Sequence, residues 1–184
     1  AVQVAHPLLL WHGLAREAMR AAGVKVPLGI VLNQSPAVPA TDRATDLALA
    51  EREYALFVRW FMDPIFLKRY PTASGVHLSP QVRETDFAAI AQPLDFLGIN
   101  SYPRIWVSSE EPPRPAPRLD GVTDMGWEVY PQGLADLLTG IHREYRLPPI
   151  YITENGMANA DTLVEGQVHD AQRIAYLKGH LEAL

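Results

Sequence analysis

Three short apolar runs, Leu28–Asn33, Leu94–Asn100 and Ile150–Thr153, are set apart by stretches whose apolar residues recur at helical spacing. This alternation limits the possible folds more than any other feature of the chain. A strand, then a helix, then another strand forces parallel strands, right-handed crossovers and a sheet covered by helices. The first run, bounded by Pro27 and the Ser35-Pro36 turn, reads as a buried parallel strand rather than a half-exposed one. Each of the three runs leads into a polar side chain at its C-terminal end: Asn33, Asn100 and, directly after Thr153, Glu154.

The helical stretches are predicted at about 8–22, 42–62 and 132–145, with a last one from about Asp170. In the first, Leu8, Trp11, Ala15, Ala18 and Ala22 share a face; in the second, Leu47, Ala50, Tyr54, Phe57, Val58 and Phe61 do, and Asp63-Pro64 ends or kinks it. Leu134, Leu137, Leu138, Ile141 and Tyr145 are predicted to face inward from the third, and Ile174, Leu177, Leu181 and Leu184 line one side of the last. The segment Glu110–Pro117 is too rich in proline for a helix or a central strand.

Two α/β architectures carry such an order: a doubly wound sheet and a piece of a (β/α)8 barrel of the TIM type. No glycine-rich phosphate loop follows any strand, and polar residues at strand C-termini suit the barrel. A barrel takes about 250 residues and eight strands, whereas this chain has 184 residues and three convincing strands. Residues 1–184 are therefore expected to form a single partial (β/α)8-barrel domain with about three strands and flanking helices. Such a piece would lack the N-terminal strands and the last strand, and would leave unpaired sheet edges through which it could oligomerise.

Composition narrows the function classes. A net charge of −5 with scattered basic residues opposes general nucleic-acid binding. No apolar run reaches the roughly 18–20 residues of a membrane helix. The chain has no cysteine, which removes disulfides and thiolate chemistry and fits a cytoplasmic setting. The six histidines (His6, His12, His77, His142, His169, His180) lack metal-ligand spacing and read as surface or capped residues. No metal and no cofactor are expected.

Glu154 carries the chemistry. It leaves an apolar strand and precedes the turn signal Asn155-Gly156, which would place a carboxylate at a barrel mouth. A retaining glycosidase needs such a carboxylate to attack the anomeric carbon, and a second carboxyl about 5 Å away to protonate the leaving oxygen. On these residues alone a solvated turn glutamate, or a base or metal ligand in an unrelated α/β-barrel enzyme, explains the position as well.

Tyr151-Ile-Thr-Glu-Asn-Gly156 resembles the nucleophile signature of glycoside hydrolase family 1, and further landmarks of that family follow one another in order. Leu10-Trp-His-Gly-Leu-Ala15 resembles the helix after the acid/base strand; Leu28–Asn33 and Asp46-Leu-Ala48 resemble the next strand and the start of its helix. Arg59-Trp-Phe-Met-Asp-Pro64, Tyr70-Pro71, Leu94–Tyr102, Met125–Leu134 and Asp170-Ala-Gln-Arg-Ile174 continue the series across almost the whole chain. There are departures. Ser101-Tyr102 leaves one aromatic residue where the family usually has two, Pro103 replaces a small polar residue, and Lys68-Arg69 stands before Tyr70 where a glycine is common.

The resemblance implies Glu154 as nucleophile, with Tyr102 donating a hydrogen bond that keeps it charged and aimed. It implies Asn100 as a supporting substrate-side residue at the same strand end, and Trp127 as an apolar wall against the aglycone. The implied activity is that of a β-glucosidase: double displacement through a covalent glycosyl-enzyme, on a β-glucoside or short β-linked oligosaccharide. The family's acid/base glutamate belongs to an Asn-Glu-Pro segment that this sequence does not contain. The 184-residue chain is thus expected to be inert alone and poorly stable as a monomer. Asp170 and Arg173, at i,i+3 spacing, are expected to pair structurally, and Glu128 has no implied role. A non-catalytic carbohydrate-binding or assembly fragment is the remaining alternative.

Overall fold

The computed structural model describes residues 2–73, 75, 82–118 and 120–184; His77 lies outside them. Helix α1 (Val2–Ala21) leads to strand β1 (Gly29–Asn33), and a short strand β2 (Ala37–Pro39) follows. Helix α2 (Ala44–Tyr54), a π turn (Ala55–Arg59) and helix α3 (Trp60–Leu67) run on as one rod. A short helix α4 (Asp86–Ile90) precedes β3 (Phe96–Asn100) and β4 (Ile105–Val107). Helix α5 (Gln132–Glu144), strand β5 (Ile150–Glu154), the small hairpin β6–β7 (Leu163–Val164, Gln167–Val168) and helix α6 (Ala171–Ala183) complete the order.

The main sheet is β1-β3-β5, parallel throughout, with β3 central. Its register sets Asn33 opposite Asn100, and Asn100 opposite Glu154 after a shift between Ile99 and Asn100. The three polar strand ends thus come level. A second parallel pair, β2 and β4, stands just beyond the ends of β1 and β3. The architecture is α/β, parallel strands with helices, and the barrel is not closed.

The core forms where helices meet the central strand. Leu97 and Ile99 of β3 are fully buried against Leu9, Val58, Met62, Ile90 and Ile141. Gly98 faces the other way, where a Cβ would lie 2.8 Å from Val31 Cγ2 and 3.0 Å from Thr153 Cγ2. The flanking side chains close over the glycine, which draws β1 and β5 together. Gly13 does the same for α1: a Cβ there would lie 2.2 Å from the Ala89 carbonyl oxygen of α4.

The inward face predicted for α5 is found, with Leu134, Leu137, Ile141 and Tyr145 buried and Leu138 packed beside them. Other expectations are corrected. Strand β1, expected to be buried, has Leu32 buried but Val31 exposed, and Tyr151 and Ile152 of β5 are exposed as well. No residue of the central β3 is exposed, whereas among the described residues no further strand flanks β1 or β5. Helix α1 buries Ala5, His6, Leu9, Gly13 and Arg16, leaving Leu8 and Trp11 outside. The rod 44–67 leaves Leu47 and Phe57 exposed and buries Asp46, Ala50, Val58 and Met62. The stripe read from sequence holds in part: Ala50 and Val58 are buried and Tyr54 and Phe61 pack against the core, while Leu47 and Phe57, the latter within the π turn that shifts the 3.6-residue register, face outward.

Pro64 does not end that rod. It is buried within α3, which stops at Lys68 in the left-handed conformation (φ 56°). One missing N–H is outweighed by packing of Met62, Pro64 and Ile65 into the core. The apolar side of α6 is also at the surface, with Ile174, Leu177 and Leu181 exposed. His6 and His180 are buried rather than superficial. His6 lies between the Tyr70 hydroxyl (2.9 Å) and Asp86 (3.1 Å), and the His180 ring stacks on Tyr176 at 4.0 Å.

Candidate active site

Strand β5 delivers Glu154 to the level end of the sheet, beside the loop that leaves β3. The Tyr102 hydroxyl donates to Glu154 Oε2 at 2.7 Å, and the Ser101 N–H donates to the Glu154 carbonyl at 3.0 Å. The carboxylate and its backbone are therefore both tied to the β3 loop. The Tyr102 phenol is held above its ordinary pKa, chiefly because its proton is committed to this carboxylate, and secondarily by burial. It remains a donor at neutral pH.

The residue after Glu154 is fixed as well. Asn155 donates through Nδ2 to the Ser101 carbonyl (3.0 Å) and to the Tyr176 hydroxyl of α6 (3.1 Å). Arg173, on the same helix, donates to the Met157 and Asn159 carbonyls and pairs with Asp161 and Asp170. The expected Asp170–Arg173 pair forms at 2.9 Å, but the guanidinium also braces the loop after β5. Asn155 reads in the sequence only as a turn residue. Its second function, and that of Tyr176, depends on α6 folding back over the loop, which no local pattern records.

Asn100 stands level with Glu154, and its Oδ1 accepts the Thr153 hydroxyl at 2.6 Å. This bond joins β3 to β5 beside the carboxylate. Trp127 reaches the site from the loop before α5; its ring lies 5.6 Å from that of Tyr102, tilted by 56°. The loop turns back through a Val122–Glu128 bridge, and the Asp124 N–H donates to the Ala158 carbonyl beyond β5. All four residues singled out from sequence thus meet at one end of the sheet.

Together these segments border an open cleft of about 610 Å³. Tyr102, Trp127, Glu154, Met125 and Met157 are among its lining residues, and among the described residues Glu154 is the one carboxylate there. Glu128, next in sequence to Trp127, turns away into a buried ion pair with Arg104. Among the described residues no group of three or more histidines or carboxylates could hold a metal ion, and no helix is long and apolar enough to cross a membrane.

These features define a class: a parallel α/β-barrel protein with polar and aromatic side chains gathered at the C-terminal strand ends, the face on which barrel enzymes act. Comparison with known proteins narrows it. The family described as glycosyl hydrolase family 1 matches residues 1–184. Beta-glucosidase A of Acetivibrio thermocellus is 38% identical over 98% of this chain and 43% of its own length. The beta-glucosidase of Agrobacterium sp. is 38% identical over 98% of this chain and 42% of its own. The crystal structure of a beta-glucosidase from Exiguobacterium marinum superposes with a TM-score of 0.88 at 37% identity, over 100% of this chain and 44% of that one. The chain belongs to glycosyl hydrolase family 1. It spans less than half the length of the curated relatives it matches.

Proposed function

We propose that this chain supplies the nucleophile side of the active site of a β-glucosidase-type retaining hydrolase. The observation that carries the reading is the Tyr102–Glu154 hydrogen bond at the strand end, on the floor of a cleft with Trp127. Glu154 attacks the anomeric carbon while the bond to the leaving oxygen breaks, giving a covalent glycosyl-enzyme. Water then displaces the carboxylate from the same carbon, and two inversions amount to retention. The proton for the leaving oxygen comes from a second carboxyl, which the cleft of this chain does not contribute. Tyr102 orients the attacking oxygen, Asn100 steadies the strand end through Thr153, and Trp127 offers a flat apolar surface to the aglycone.

A β-glucoside with an apolar or aromatic leaving group suits that wall. A related protein, the virulence factor SghA of Agrobacterium tumefaciens, has been solved with its substrate analog salicin and is 33% identical to this chain. General acid catalysis contributes roughly 10²–10⁴-fold, so the 184-residue chain alone is inert or nearly so. The test is proton NMR of glucoside hydrolysis by the longer polypeptide that carries this chain. The β-anomer of the free sugar appearing first supports the reading; the α-anomer first, or robust turnover by the 184-residue chain alone, overturns it.

The exposed sheet edges and α6 face favour a second reading, an assembly fragment that pairs with a complementary barrel segment. Size-exclusion chromatography decides it: a folded monomer unchanged on addition of that segment removes this reading.

A further inference from the structure

Arg104 and Glu128 form the most enclosed ion pair among the described residues, with side chains 7% and 8% exposed. The contact is bidentate, Nε to Oε2 at 2.7 Å and Nη2 to Oε1 at 2.8 Å. The guanidinium also lies over two rings, 3.8 Å from the centre of Tyr130 and 4.7 Å from that of Trp106. Glu128 Oε1 takes a further bond, from the Arg118 N–H at 3.1 Å. Such a pair is a poor source of net stability, because desolvating two charges offsets most of their attraction. Its planar, two-pronged geometry instead fixes orientation closely.

What it orients is given by position. Arg104 lies two residues beyond Tyr102, and Glu128 is the residue after Trp127. The pair therefore clamps the loop that carries the phenol to the loop that carries the indole, within two residues of each of the two rings that meet at 5.6 Å. The Trp127 backbone is held on its other side by Thr123, through Thr123 N–H to the Trp127 carbonyl (2.8 Å) and Trp127 N–H to Thr123 Oγ1 (3.3 Å). Glu128 faces away from the cleft, so it touches no substrate.

We infer that Arg104 and Glu128 are positioning residues: they set the pose of Trp127 against Tyr102, and through it the fit of the aglycone beside Glu154. The consequence for aglycone binding rests on the hydrolase reading proposed above; the positioning itself does not.

The test has two arms. In the first, the 184-residue chain is labelled with 5-fluorotryptophan and its four resonances are assigned by single Trp→Phe changes. Arg104→Lys keeps the charge but loses the fork, and Arg104→Met with Glu128→Met removes both charges, so that neither is left buried alone. Trp106 touches Arg104 and reports that the change was felt; Trp60, in a separate buried cluster, reports that the fold is intact. The Trp127 resonance is expected to move together with that of Trp106 while that of Trp60 stays. A Trp127 resonance unmoved beside a shifted Trp106 overturns the inference.

In the second arm, the longer polypeptide is assayed on an aryl β-glucoside. Arg104→Lys is expected to raise KM at least 5-fold with a smaller fall in kcat, and the effect is expected to vanish in a Trp127→Ala background. An equal loss in both backgrounds marks a merely structural role and overturns it. A wild-type polypeptide without glycosidase activity sinks the hydrolase reading alone, and leaves the fluorine result to judge the clamp.

Discussion

Replacing Tyr102 by Phe removes one hydroxyl and leaves the ring against Trp127 in place. The lost bond, 2.7 Å from a neutral donor to a carboxylate oxygen, belongs to the class worth about 1.5–3 kcal/mol when one partner is charged. In the 184-residue chain Glu154 is open to solvent, and water compensates for most of that loss. The stability change there is expected to be about 0–1 kcal/mol. In a closed barrel mouth, water no longer replaces the phenol and the larger range applies. At 1.4 kcal/mol per factor of ten, kcat/KM should fall roughly 10- to 150-fold. Steady-state kinetics of the longer polypeptide on an aryl β-glucoside measures this, and urea unfolding of the short chain measures the stability. A loss of less than about 3-fold would mean that the phenol does not direct the carboxylate.

Three further outcomes concern the fold. Ile141→Ala empties a fully buried position facing β3 and should cost about 2–5 kcal/mol in urea unfolding; a cost under 1 kcal/mol would refute tight packing there. Gly13→Ala should destabilise although alanine favours helix by about 1 kcal/mol, because its Cβ would meet the Ala89 carbonyl oxygen at 2.2 Å; a gain in stability would contradict the α1–α4 contact. The Asp46 carboxyl is held well below the usual range, first by the Ser109 hydroxyl, then by the Thr41 hydroxyl and the Ser109 N–H, while burial pushes the other way. Its folded pKa lies below the unfolded value of about 3.9, so its contribution is complete above pH ~4 and fades as pH falls through the folded value. Asp46→Asn should accordingly flatten the acid side of a plot of urea midpoint against pH; an unchanged slope would refute it.

The parallel sheet and its polar rim were legible because each strand is a continuous apolar run that stops at a hydrogen-bonding side chain. Residue Glu154 and the aromatic residues around it were legible through the ordered resemblance, not through periodicity. Helical faces were less so. The stripe read for α1 is misplaced because alanines spaced three and four apart mimic a core face, while the buried side is set by Gly13 and Arg16 against α4 and its neighbours. The rod through Pro64 runs on past the proline because packing of Met62, Pro64 and Ile65 retains it, and local sequence does not carry that packing. The roles of Asn155, Tyr176 and the Arg104–Glu128 clamp are not legible in the sequence because each joins segments more than twenty residues apart.

The central claim is that Glu154 is the nucleophile, and covalent trapping tests it most directly. The longer polypeptide is treated with a 2-deoxy-2-fluoro β-glucoside carrying a good leaving group, digested and mapped by mass spectrometry. A single fluoroglucosyl adduct on Glu154, abolished by Glu154→Gln, is the result predicted here. An adduct on any other carboxylate would contradict it.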